Sequence, residues 1–487
     1  MPRQLALLIY LTGVVWLFRR DFREKPNVTA ALWLPFFWIF FSGSRFFSQW
    51  LDLFGLHVGG TSVAEGSPGD ALVFFILIAS GLYVLHQRRV SLAEFVLNNQ
   101  WVTIYLAYCL LAVLWSDYPF VSFKRWVKLF GQPVMILVLL TEPDPLEALV
   151  RLFKRLSYVW VLISILFIKY YPEWGRSYSY WTGQAGYGGI CAGKNALGFL
   201  CMVVGFFYSW HFLTVWRQEK SVARRNELIL CLAFLAMNSW LLHMAQSSTS
   251  LVCMLVATGI VLLVGLPFIN VRHIGLYLLA IVAACVLADA SFGIYDQVIH
   301  ALGRDPTLTG RTDVWKFLLK APVNPVLGSG FESFWLSDYA TKLNSMYDSH
   351  SVSFNEAHNA YLETYLELGL LGLALTIGLI GATYVKACQA LLNNFTFGRF
   401  RLAALAAMLF YGWTEVVFRT HSVPFFLFLL AGIDYPKVET TTADQPVGAE
   451  GAEADLELVS AAEQNPLAHT ESPCHDLGYT IAQSAGK

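Results

Sequence analysis

The sequence predicts an all-α fold, a polytopic integral membrane bundle of about 12–13 transmembrane helices with one large external loop. Three observations predict it. Of the 487 residues, 56% are hydrophobic and only 14% are charged, against about 25% charged in soluble domains. Apolar runs of near-spanning length recur along the chain. The short connections between them alternate between rich and poor in Lys and Arg. Such a composition excludes a cytosolic enzyme, a disordered scaffold and a secreted disulfide domain. The cysteines agree: Cys109, Cys191, Cys201, Cys231, Cys253, Cys285 and Cys388 lie in or beside apolar runs without CxxC spacing and read as small apolar packers.

Taken in order, the candidate spans are 4–18, 28–43, 70–86, 101–115, 126–141, 156–171, 195–214, 227–244, 250–268, 273–289, 362–384, 402–418 and 421–434. A spanning helix needs roughly 20 apolar residues, so the first and last are short and could lie in the interface. The first run lacks a small-residue cleavage site and reads as a retained span. Arg19, Arg20, Arg23 and Lys25 follow the first span, and Arg88 and Arg89 the third. Arg151, Lys154 and Arg155 follow the fifth, Arg217, Lys220, Arg224 and Arg225 the seventh, Arg272 the ninth, and Lys386, Arg399 and Arg401 the eleventh. Positive loops stay inside, so all of these share the cytoplasmic face. The transmembrane bundle then covers 1–434, with the 290–361 loop outside. The 435–487 segment falls inside, with nine acids against Lys437 and Lys487. Lacking any apolar period, it reads as a disordered acidic tail.

The external loop holds the polar residues with chemical potential. It contains short helical segments near 293–301 and 312–320, a Pro322–Pro325 turn and a glycine-rich turn at Leu327-Gly328-Ser329-Gly330. It runs directly into Glu356-Ala357-His358-Asn359-Ala360-Tyr361-Leu362-Glu363. Long polar connections between spans commonly carry function. No phosphate-binding P-loop or dinucleotide fingerprint is present.

Cations stand outside against the positive-inside bias: Lys124, Arg125, Lys128, Lys194, Arg311 and Arg419. Each alone could snorkel to headgroups or pair with a nearby acid. Gathered at the outer ends of several spans, they suit an anionic ligand such as a lipid-linked pyrophosphate, and arginine suits it best because its planar fork takes two oxygens. Lys194 follows the glycine-rich Gly186–Gly193 approach to a helix start, whose N–H groups would add to an anion site. His358, at the entry to a helix, could accept a proton from a sugar hydroxyl, or could cap that helix together with Asn359. Asn359 and Glu363 share one helical face. Asp313 stands two residues from Arg311, where it could orient the guanidinium or complement a helix N-terminus. No close metal-ligand cluster is evident; Asp348, His350, Glu356 and His358 come nearest to one. A transporter would carry ionisable residues mid-span, whereas here they concentrate in outer loops. A nucleotide-sugar transferase would need a cytoplasmic domain that no inner loop is long enough to supply.

Several stretches together carry a resemblance. Gly310-Arg311-Thr312-Asp313-Val314-Trp315, Pro325-Val326-Leu327-Gly328-Ser329-Gly330-Phe331, His358-Asn359-Ala360-Tyr361-Leu362-Glu363 and Glu367-Leu368-Gly369-Leu370-Leu371-Gly372-Leu373 resemble the O-antigen ligase/polymerase superfamily. Gly193-Lys194-Asn195-Ala196-Leu197-Gly198, Gln246-Ser247-Ser248-Thr249-Ser250 and Trp115-Ser116-Asp117-Tyr118-Pro119 resemble its other recurring stretches, so the likeness runs from about 115 to 415. Where family members often have His-Lys-Asn, this chain has Gly193-Lys194-Asn195. The resemblance implies a bacterial inner-membrane glycosyltransferase whose active face is periplasmic, moving a glycan from an undecaprenyl-pyrophosphate donor to an acceptor sugar hydroxyl. It implies Arg311 on the pyrophosphate, helped by Lys194 and Arg125, with His358 activating or positioning the acceptor and Asn359, Glu363 and Asp313 in support. Acceptors would be lipid A core or, for an exopolysaccharide or O-antigen repeat-unit polymerase, the growing polysaccharide. Membrane lipids are the remaining partners; no metal, other cofactor or nucleic acid is implied.

Overall fold

The computed structural model describes residues 1–56, 66–178, 185–292, 297, 311–347, 355–420 and 422–435. The short 293–301 helix and nearly all of the 435–487 tail lie outside the described residues, as do Asp348 and His350. The described chain is helical apart from one small antiparallel hairpin, Arg176–Tyr178 against Ala185–Tyr187. Helices run over Arg3–Arg23, Trp33–Gly43, Phe47–Leu53, Pro68–Gln87, Leu92–Asn98, Gln100–Leu111, Pro119–Leu140 and Pro145–Tyr170. They continue over Lys194–Trp216, Val222–Ala245, Ser248–Val264, Ile274–Phe292, Arg311–Leu318, Asp338–Tyr347, Ala360–Asn393, Phe395–Tyr411 and Val423–Gly432. Each of the thirteen apolar runs therefore coincides with a helix. The chain is an all-α polytopic membrane protein.

Local chemistry sets where many helices begin. The side chains of Asp144, Ser221, Ser247, Asn359, Asn394 and Ser422 each accept a hydrogen bond from the first-turn backbone, satisfying amides that have no intrahelical partner. Among the described residues, four helices are long and apolar enough to cross a membrane: Pro68–Gln87, Lys194–Trp216, Val222–Ala245 and Ala360–Asn393. A fifth span forms if Ala30–Gly43 and Phe47–Leu53, bent by 67°, are counted as one. The long helices Arg3–Arg23, Pro119–Leu140 and Pro145–Tyr170 carry cations.

Those cations correct one part of the sequence reading. Arg151, Lys154 and Arg155, expected in an inner loop, lie within the Pro145–Tyr170 helix. Lys154 and Arg155 are buried, tied to Glu227 at 2.6 Å and to Asp21 at 2.8 Å. Arg399 and Arg401 are likewise inside the Phe395–Tyr411 helix and buried. For Arg151, Lys154, Arg155 and Arg401 the reason is pairing with acids distant in sequence, which lets a helix carry charge into the bundle.

A second feature ties the 325–330 turn to the bundle. The Ala360–Asn393 helix is broken at Gly369, where φ is +66°. The turn at 325–330 fills the break: the Leu370 and Leu371 amides donate to the Pro325 and Val326 carbonyls at 2.8 and 3.2 Å, and the Ser329 and Gly330 amides donate to the Leu366 and Glu367 carbonyls at 3.0 and 2.9 Å. The Tyr108 hydroxyl takes the Leu368 carbonyl at 2.9 Å, and the Trp115 indole the Leu327 carbonyl at 3.2 Å. Backbone groups freed by a break in a membrane helix need such partners. A Cβ on Gly369 would lie 2.2 Å from the Val326 carbonyl oxygen, and one on Gly328 would lie 2.4 Å from the Glu367 backbone. Three recurring stretches, 115–119, 325–331 and 367–373, thus form one interlock. A small apolar core of Val314, Leu318, Phe334, Leu343, Ala357 and Leu366 packs the Arg311–Leu318 and Asp338–Tyr347 helices over it.

Candidate functional site

The segment between the Phe395–Tyr411 and Val423–Gly432 helices is where the remaining stretches meet. The Ala360 amide donates to the Gly412 carbonyl at 2.8 Å, and the Asn359 side-chain amide to the Trp413 carbonyl at 3.1 Å. Thr414 bonds Thr249 at 3.1 Å, which brings in the 246–250 stretch. Glu415 accepts from Asn195 at 3.4 Å, bringing in the residue beside Lys194. From the Arg311–Leu318 helix, the Trp315 indole donates to the Ala357 carbonyl at 2.8 Å. Trp315 stands one helical turn after Arg311, so that turn brings the Arg311 backbone to the same end of the bundle.

At the centre is His358. Its φ of +50° lies in the left-handed region, which costs a non-glycine residue free energy and persists only where surrounding contacts hold it. Nδ1 lies 3.0 Å from Glu415 Oε2 and 3.0 Å from Glu356 Oε1. Among the described residues Nε2 has no hydrogen-bond partner. Arg419 completes the group, bonding Glu356 Oε2 and the Asn355 carbonyl, both at 3.2 Å. Burial alone favours a neutral ring, but the hydrogen bonds and charges of Glu356 and Glu415 outweigh it and push His358 up to about 9. The resting ring is therefore an imidazolium at neutral pH. Burial opposes the charge of Arg419, but Glu332, Glu363, Glu356 and Glu367 outweigh it and push Arg419 up.

Lys194, Arg125, Asn359 and Glu363 each have a definite place. Lys194 is the exposed first residue of its helix, next to Asn195. Arg125 pairs with Glu332, at 3.9 Å to its carboxylate and by a hydrogen bond to its backbone carbonyl. Glu332 accepts from the Thr420 amide at 2.6 Å, so Arg125 braces the hub from below. Asn359 caps the helix, accepting from the Tyr361 and Leu362 amides at 3.0 and 2.9 Å. Glu363 accepts from the Trp335 indole and the Ala357 amide, both at 2.7 Å, and so holds the external segment down. Arg311 opens its helix; its side chain and that of Asp313 lie outside the described residues. Sequence reasoning missed Glu415 and the pairing of Arg419. The one available signal was an acid and an arginine four residues apart, Glu415 near the end of the 402–418 run and Arg419 just past it.

Glu356, His358 and Glu415 each bring one ligand atom within 4.8 Å of the others, as do His211, Glu227 and Cys231. In the first group the imidazole nitrogen that a metal would take already faces both carboxylates as their proton donor, and Arg419 holds one of those carboxylates. In the second, Glu227 also pairs with Lys154 and Arg20, each at 2.6 Å. Both groups fit charge-balanced ion-pair clusters better than cation sites.

Fold and site together define a polytopic membrane protein with an ion-paired polar centre at one end of its bundle. Residues 231–377 match the O-antigen ligase family model. The Exopolysaccharide production protein ExoQ of Rhizobium meliloti (strain 1021) is 25% identical over 303 residues, covering 60% of this chain and 66% of that protein, just under two thirds of its length. The chain is thus similar to the O-antigen ligase family over 231–377 and to a protein of exopolysaccharide production over about 60% of its length. The family-matched stretch contains Arg311 and His358 but ends before Glu415.

Proposed function

We propose that this protein transfers a glycan from an undecaprenyl-pyrophosphate donor to an acceptor sugar hydroxyl at the periplasmic face of the bacterial inner membrane. The observation that carries this reading is the His358 cluster, a cation held by two carboxylates where four of the recurring stretches converge. In the step, the bond between the anomeric carbon and the pyrophosphate oxygen breaks, and the electron pair leaves with the pyrophosphate. The acceptor oxygen forms the new bond from the opposite side, with inversion, and loses its proton.

In this reading Arg311 and Lys194 bind the pyrophosphate. The His358 imidazolium, through the free Nε2–H, adds charge where the leaving group gains it. The acceptor's proton goes to the carboxylates of the cluster, because the ring already carries its own. This reverses the role expected from sequence, in which a neutral His358 takes the proton. Asn359, Glu363 and Arg125 act by holding the segment in place, and positioning of this kind accounts for much of such a rate enhancement. No metal has a role in it.

Ligase and polymerase differ only in acceptor. Similarity to a protein of exopolysaccharide production favours the second reading, a polymerase whose acceptor is a growing polysaccharide and not lipid A core. Purified protein in liposomes, given an undecaprenyl-pyrophosphate-linked repeat unit, tests both. Products longer than one repeat support the polymerase, and transfer only when lipid A core is added supports the ligase. Donor left intact in the presence of either acceptor overturns the proposal.

A further inference from the structure

At the opposite end of the bundle, two arginines share one place without an acid. The Phe395–Tyr411 helix separates it from the His358 cluster by roughly 25 Å at 1.5 Å per residue. A Cβ on Gly265 would lie 3.1 Å from Arg217 Nη2 and 3.2 Å from Arg399 Nη1, so both guanidinium groups crowd the same point. Both also stack on the Phe395 ring, at 5.8 and 5.3 Å. Arg217 is exposed and donates to the Gly265 carbonyl at 3.1 Å. Arg399 is 2% exposed, and its buried Nε has no hydrogen-bond partner. Among the described residues neither guanidinium has a carboxylate partner. Several other buried or half-buried arginines do: Arg155 has Asp21, Arg401 has Asp434 and Arg88 has Glu142.

A guanidinium cannot shed its proton, and a desolvated charge next to a like charge is costly until a counter-ion arrives. We infer that Arg217 and Arg399 form a binding site for a phosphate group, with its oxygens in the space between them beside Gly265. The planar forks of two arginines match phosphate oxygens better than they match chloride. Exposed aromatic residues flank the place, Trp216 at 57% and Phe268 at 76%, as expected where a protein meets the headgroup layer. The phosphate thus has two sources, an anionic phospholipid headgroup or a soluble phosphate.

The test uses the full chain, purified in dodecyl maltoside and stripped of lipid. Thermal unfolding is followed with dihexanoyl phosphatidylglycerol, dihexanoyl phosphatidylcholine or sodium phosphate at constant ionic strength. Phosphatidylglycerol should raise the melting temperature of the wild type, and phosphatidylcholine should not. Arg399→Met and Arg217→Gln should each need about tenfold more lipid for the same rise, the loss of one charge-assisted bidentate contact. Arg272→Gln, an exposed cation elsewhere, should respond as the wild type does. An equal rise with sodium phosphate identifies a soluble phosphate as the ligand; a rise with phosphatidylglycerol alone identifies the headgroup. If Arg399→Met does not fold, the exposed Arg217→Gln decides. Equal responses by Arg217→Gln and wild type, or no rise in either, would overturn the inference.

Discussion

His358 carries two demands that pull in different directions. A general base must be free to take a proton, yet Glu356 and Glu415 hold this ring in its protonated form. The structural alternative, a histidine that merely caps a helix, is met instead by Asn359, whose side chain already bonds both first-turn amides. A cap role for His358 would leave His358→Asn close to wild type. The account expects His358→Asn and His358→Ala alike to lose about 100-fold or more in transfer with donor binding weakened only slightly, measured by single turnover in liposomes. Arg311→Lys keeps charge but loses the fork, so it should lose most donor capture as well as rate. An Arg311→Lys enzyme with unchanged donor affinity would remove Arg311 from the pyrophosphate.

Among the elements, the interlock at Gly369 decides whether the external segment is held in register over the site. Gly369→Ala meets both a positive φ, costing roughly 1–2 kcal/mol by itself, and the Val326 carbonyl. It should lower the melting temperature and abolish transfer together. Gly381→Ala, in the same helix with no atom within 4 Å of its added Cβ, should be neutral or slightly stabilising. Equal behaviour of the two variants in thermal unfolding would contradict the interlock. None of this was visible in the apolar run 362–384, which reads as one straight span. The residues that break it lie some forty positions upstream, and a helical pattern carries no sign of an inserted partner.

For the molecule as a whole, the helices were legible because apolar length alone predicts them, and each of the thirteen runs formed one. The site was legible in part: His358, Lys194 and Arg125 reach the end of the bundle where they were expected. Glu415 was not, because an acid near the end of an apolar run looks like any interfacial residue until the chain folds back 57 positions to His358. The buried inner arginines were misread as loop residues for the same reason. Sidedness remains an expectation from charge. Alkaline phosphatase fused at Leu343 should be active and at Gln445 inactive, and the reverse pattern would put the donor on the wrong side. Transfer should also survive EDTA, and loss restored by one specific divalent metal would recast the His358 cluster as a cation site.

The central claim, that a carboxylate-held imidazolium drives transfer, is most directly tested by the pH dependence of single-turnover transfer in liposomes, compared between wild type and Glu415→Gln. The folded-state value of His358 is raised, so the active charged form is full at neutral pH and lost as pH rises through about 9. The wild-type rate should therefore be level around neutrality and fall through about 9. In Glu415→Gln, with one supporting charge removed, the fall should move to lower pH. A wild-type rate that climbs with pH through that range, or a Glu415→Gln profile superimposable on wild type, would contradict the account.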